Sequence, residues 1–240
     1  MTTQNWPELA ATLVDELHLA TPPLAITFTD TAPEGVEPFE EPMPDALADG
    51  RTGRVAAGCV FWIKAAERTF STVAEDHGNC SVGSLTHGFK TLDEVAGNSD
   101  VAALLESGWV SMDVVPQIPV VHDRPGTVIY GPLADTPVDP DVVFLRVNGR
   151  QLMVLSDAVP GLRIEGKPQC HIVAVAKEER VPAASVGCAL SRVRTGMQPT
   201  EMTCALPAEQ LGEIVASVQR NAAADSLVAK YAADDARRFA

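Results

Sequence analysis

The feature that most constrains this chain is a stretch that occurs twice, each copy carrying two cysteines. The first copy runs from Cys59 through Cys80 to Gly88, the second from Cys170 through Cys188 to Gly196. In both, a cysteine opens an alanine-containing segment with Lys and Glu towards its end. A short extended piece follows (residues 70–73 and 181–186), then the second cysteine, then a glycine eight residues on. Self-similarity of this kind marks related structural units. It predicts two halves of one fold, with four thiols at matched positions.

Four thiolates converging from equivalent halves would form an all-cysteine ligand set, suited to an iron–sulfur cluster and, after that, to tetrahedral zinc. Cys59, Cys80, Cys170 and Cys188 are the candidate ligands. Their intervals are longer than those of compact zinc or ferredoxin motifs, so convergence has to come from the fold. A haem held by Cys or His is a further alternative, without a c-type attachment motif. The fifth cysteine, Cys204, has no counterpart in the other copy and reads as a core residue.

Two other readings stand beside the metal. In the second, a single thiol is a nucleophile: Cys80 and Cys188 follow turns and begin helices, where the dipole favours thiolate. His77, three residues before Cys80, is the candidate base. In the third, the cysteines are small core residues of a non-enzymatic protein that binds a small ligand. Around the thiols, Ser81, Gly83, Ser84 and His87 form a small-residue turn that could offer backbone donors to an anion or a cluster sulfide. His171, Arg192 and Arg194 complete the candidates for proton transfer and for holding an anionic substrate.

Composition narrows the class. With 240 residues and 46% hydrophobic content, the chain can bury one large core. A net charge of −14, from 32 acidic and 18 basic residues, argues against a nucleic-acid or anionic-membrane surface. An odd cysteine count without a basic-apolar leader points to a reducing cytoplasm rather than a disulfide framework. No apolar run reaches the length of a membrane span.

The local pattern supports an α/β (or α+β) fold of two pseudo-repeated strand/helix halves, about 20–135 and 136–222, within a single unit spanning residues 1–240. Asn5-Trp-Pro7 caps a helix whose Leu9, Leu13 and Leu17 form a buried stripe. Leu24, Ile26 and Phe28 share one face of a strand. Residues 30–50, dense in proline and glutamate, read as a solvated surface connector. From 52 to 66 the period is helical, with Val55, Cys59, Trp62 and Ala66 on one face. Residues 91–107 read as short helices, and 109–121 as an extended segment. Strands follow at 127–130, 142–147 and 201–206, the second with an apolar run that places it buried in the sheet. Residues 223–240 form a polar helical tail, a candidate for packing in a homo-oligomer.

In this order the pieces resemble the domain-of-unknown-function 169 family, also called ArCR. The resemblance is carried by the opening Leu-rich helix running into Pro23-Leu-Ala-Ile-Thr-Phe28, by Cys59, and by Cys80-Ser-Val-Gly83. In the second half it is carried by Pro140-Asp-Val-Val143, Cys170, Gly187-Cys-Ala-Leu-Ser-Arg192, Glu201-Met202 and Leu206-Pro207. It implies one compact α/β unit over nearly the whole chain and says little about activity.

Overall fold

The structure, a computed structural model, describes residues 4–40, 59–166, 168–195, 197–236 and 238. Helix α1 (Trp6–Leu17) is capped by Asn5, whose side chain accepts from the Glu8 N–H. Its buried stripe runs through Trp6, Ala10, Leu13 and Leu17, with Leu9 at the margin. Strand β1 (Leu24–Thr29) follows. After the undescribed residues come α2 (Cys59–Lys64), β2 (Phe70–Thr72) and a 3₁₀ turn (Ala74–His77). Helices α3 (Ser81–Thr86), α4 (Leu92–Val95) and α5 (Ser99–Glu106) lead to β3 (Thr127–Pro132). The second part holds β4 (Val142–Val147), α6 (Gly149–Ala158), β5 (Arg163–Glu165) and α7 (His171–Ala174), which widens into a π turn. It ends with β6 (Ala183–Ser185), α8 (Ala189–Thr195), β7 (Met202–Pro207) and α9 (Leu211–Ala236).

The seven strands form one mixed sheet in the order β2-β3-β1-β4-β7-β6-β5. All neighbours are antiparallel except β5 and β6. β1 and β4 meet at the centre, Leu24 opposite Phe144 and Ile26 opposite Val142. Because side chains alternate along a strand, each strand feeds two cores. Ala25, Val143, Leu145, Cys204 and Leu206 pack against α1, α6 and α9. Leu24, Ile26, Val142, Phe144 and Ala205 face the other way, towards α2 and α7. β4 is apolar except for Arg146, which pairs with Glu201, because both its faces are covered.

Several expectations need adjustment. The helix expected over 52–66 is seen from Cys59 to Lys64; its earlier part, with Val55, lies outside the described residues, as do 41–50 of the acidic connector. The connector's earlier part is not simply solvated. Phe39 is fully buried against Phe61 and Phe70, and residues 37–39 exchange backbone hydrogen bonds with Ser71, covering the β2 edge of the sheet. Residues 109–121 are irregular, with one 3₁₀ turn at Val115–Gln117. The tail is no separate element, since α9 runs unbroken from Leu211 to Ala236. Among the described residues no helix is long and apolar enough to cross a membrane.

Candidate four-thiol site

Three of the four repeat cysteines stand at helix entries. Cys80 is the N-cap residue of α3 and Cys170 that of α7, while Cys188 immediately precedes α8. Cys59 is the first described residue of α2. Backbone N–H groups and the positive end of a helix favour negative charge there. Cys59 and Cys170 pack on the sheet face opposite Cys204, and all four line one pocket. Its walls are completed by Trp62, Trp109, Gly83, Pro168, Gln169 and Ser191, around a free space of about 30 Å³. No disulfide joins any of the five cysteines.

The thiols sense one another. Burial pushes the Cys170 thiol well above its ordinary range, and charge on Cys80 pushes it further. A hydrogen bond with Thr86 opposes the rise, while Cys188 and Cys59 add to it. Four crowded thiolates repel, so only a cation among them would let all four ionise. Among the described residues, no group of three or more His, Cys, Asp and Glu side chains is arranged to hold a metal ion. A tetrahedral zinc with Zn–S near 2.3 Å needs sulfurs about 3.8 Å apart. Among the described residues, two wall atoms lack hydrogen-bond partners: the buried Trp62 Nε1 and Gln169 Oε1. Trp62 is locked by stacking on Phe144, centroids 4.2 Å apart.

The remaining candidates are distributed differently. Gly83 lines the pocket. Ser81 is tied to α5: its N–H and hydroxyl both donate to Asp100, at 2.9 and 2.7 Å. That carboxylate works against an anion at the start of α3. The Ser84 hydroxyl donates to the His77 carbonyl at 2.6 Å. His77 and His87 do not line the pocket; they stack in a buried aromatic group with Phe61, Phe89 and Tyr130. The His77 ring bonds Thr72 at 3.0 Å. His171 is buried with Nε2 3.4 Å from Glu165. Burial alone would raise the Glu165 carboxyl, but Arg163 and His171 outweigh it and hold the group below its ordinary range. The Arg192 guanidinium is spent on the carbonyls of Val186, Gln198 and Glu201. The Arg194 side chain lies outside the described residues.

Arg192 shapes the approach to Cys188. Gly187 has φ +114, and a Cβ there would sit 2.6 Å from Arg192 Nη2. Both strain and collision oppose any side chain. Gly187→Ala is expected to lower the Tm by about 5 °C, from roughly 1–3 kcal/mol of backbone strain. The control is Gly166→Ala, where a Cβ meets nothing within 4 Å. Equal melting of the two variants would show that Gly187 carries no such constraint.

Sequence reasoning passed over Gln169, Ser191 and Trp109 in this wall. Gln169 Nε2 donates to the Ser191 hydroxyl at 3.0 Å and so joins the two segments bearing Cys170 and Cys188. Their position beside those cysteines was a usable signal. Trp109 had none, since its segment has no periodicity.

Residues 12–217, which include all four pocket cysteines, match the family described as uncharacterised ArCR, DUF169. The chain belongs to the DUF169 family. No curated protein and no solved structure is detectably similar to this DUF169 chain.

Proposed function

We propose that this DUF169 protein holds an iron–sulfur cluster on Cys59, Cys80, Cys170 and Cys188, and uses it in redox or sulfur chemistry on a small molecule. The observation that carries this reading is the single pocket lined by all four thiols. The sheet order supports a duplicated origin. Outward from β1 come β3 and β2; outward from β4 come β7 and β6. A local two-fold axis between β1 and β4 would relate these halves, with β5 added at one edge. It would also bring the segment 59–80 to meet 170–188.

The residues present suit a polynuclear thiolate-bound group. The helix entries favour negative charge, and the unpartnered Trp62 N–H is available to a sulfur acceptor. When bound, such a cluster supplies one-electron transfer or an iron that polarises a ligand. This chain's own part is to supply thiolates, exclude water with Trp62 and Trp109, and position Cys170 through Thr86. A lone nucleophilic cysteine is less well served. The candidate base for Cys80, His77, turns its ring to Thr72 and into the aromatic core instead.

The test is iron, acid-labile sulfide and zinc content, with a visible spectrum, on protein purified without oxygen. Iron and sulfide in near-equal amounts, with broad thiolate-to-iron absorption, are expected. A folded, colourless protein lacking all three would end the cluster reading.

A further inference from the structure

Trp62 carries a hydrogen-bond donor that the rest of the described chain does not use. Its side chain is 2% exposed, and among the described residues its Nε1–H has no acceptor. The ring is not free to turn and find one. It is stacked on Phe144, centroids 4.2 Å and planes 30° apart, and Phe144 is fully buried in β4. A buried N–H left unpaired carries the full cost of its lost hydration. An indole held in that state is suited to an acceptor that a ligand brings or that ionisation creates.

Two spaces border this ring. One is a gap with about 10 Å³ of free room, walled by Arg146, Glu201 and Thr203 together with Gln169 and Ser191. Its strongest acceptor, the Glu201 carboxylate, is taken by the Arg146 guanidinium and the Gln198 N–H. The other space is the four-thiol pocket, where each sulfur becomes a strong acceptor once ionised. Neighbouring polar side chains of that pocket do not compete for the role. Gln169 Nε2 donates to Ser191, and the Ser191 hydroxyl reaches the Met197 sulfur at 3.8 Å. The unpartnered Gln169 Oε1 is itself an acceptor and cannot serve a sulfur anion.

We infer that the Trp62 N–H donates to a sulfur of the four-thiol site and raises the reduction potential of the group bound there. The inference rests on the cluster reading. Reduction adds negative charge to a thiolate-bound cluster, so a donor at its sulfur favours the reduced form. Water admitted to the pocket would stabilise the same added charge. The two things Trp62 does therefore separate by sign: losing the N–H lowers the potential, and losing the wall raises it.

The test is a redox titration of iron-loaded wild type and Trp62→Phe, which keeps a ring on Phe144 and removes the N–H. The midpoint is expected to fall by about 59 mV, a tenfold shift of a one-electron equilibrium. An unchanged or raised midpoint would show that the ring serves as packing alone and overturns the inference. Ultraviolet resonance Raman gives a second readout, because the difference between the two proteins isolates Trp62 from Trp6 and Trp109. The indole N–H marker band is expected at its hydrogen-bonded position in loaded protein and nearer the free position once iron and sulfide are removed. A band that stays in place on removal overturns the inference, and this response of the wild type decides alone if Trp62→Phe does not fold. Thr203→Val should leave band and midpoint unchanged; if it moves the band, the N–H serves the gap beside Glu201 and the assignment falls. Protein that assembles no iron and sulfide ends the cluster reading and this inference with it. Iron-loaded protein with an unmoved midpoint and band ends this inference and leaves the cluster standing.

Discussion

Serine in place of Cys59, Cys80, Cys170 or Cys188, one at a time, is expected to reduce bound iron and sulfide to under about a tenth of wild type. The same assay on Cys204→Ala should leave both unchanged. The contrast rests on geometry. The four line a common pocket, and Cys59 and Cys170 pack on one face of the sheet, while Cys204 packs with α1, α6 and α9 on the other. Burial alone pushes the Cys204 thiol up to about 12, so it stays protonated and is no ligand. Cys170 is also raised, but three of its causes are the other thiols. Bound cationic iron reverses the sign of those contributions, so ligand binding and ionisation are coupled at this site.

Stability should follow composition. Elements far apart in sequence meet at the pocket, so a bound group ties α2, α3, α7 and α8 together. Each serine variant should melt lower than loaded wild type and no lower than wild type stripped of metal. Cys204→Ala should lose about 1–2 kcal/mol, as a buried side chain does when truncated by one atom, with its spectrum intact. Four serine variants with full iron, or a Cys204→Ala protein without it, would be fatal to the assignment.

How far the site was legible follows from what kind of information each part needed. The glycine turn after Cys80 was readable from composition, and Gly88 does adopt φ +77. β4 was readable because an apolar run without alternation requires cover on both faces. The order of strands was not: periodicity says which residues share a face, not which strand lies alongside. Neighbourhood in sequence misled at His77. It precedes Cys80 by three residues, yet the 3₁₀ turn Ala74–His77 sends its ring into the aromatic core. Ser81 was claimed by Asp100, and Arg192 by three carbonyls. Nothing local records such partners. A free hydroxyl and a spent one look alike in a sequence.

The displaced histidines make their own prediction, an acid-sensitive core. Thr72 donates to the Val128 carbonyl at 3.1 Å, so its oxygen must receive the His77 Nε2–H. His87 Nδ1 donates to the Gly83 carbonyl at 3.0 Å. Each ring is therefore neutral, with its other nitrogen buried and unpartnered. Burial, then the nearby His87, holds His77 well below its ordinary range. Burial lowers His87 to about 4 against the opposing hydrogen bond to the Gly83 carbonyl. The unfolded chain has histidines near pH 6.5. Between that value and about 4 the unfolded state binds the extra proton, so stability is full above pH 6.5 and falls as acid is added. From His87 alone the loss approaches about 3 kcal/mol by pH 4, and His77 acts in the same direction. Urea denaturation at pH 7.5 and at pH 4.5 should show the drop. Carboxylates also titrate near the lower value, so the comparison that isolates the histidine is His87→Gln. That variant is less stable at neutral pH but should lose roughly 2–3 kcal/mol less on going to pH 4.5. Parallel pH curves for the two proteins would mean that His87 takes up its proton equally in the folded and unfolded chains.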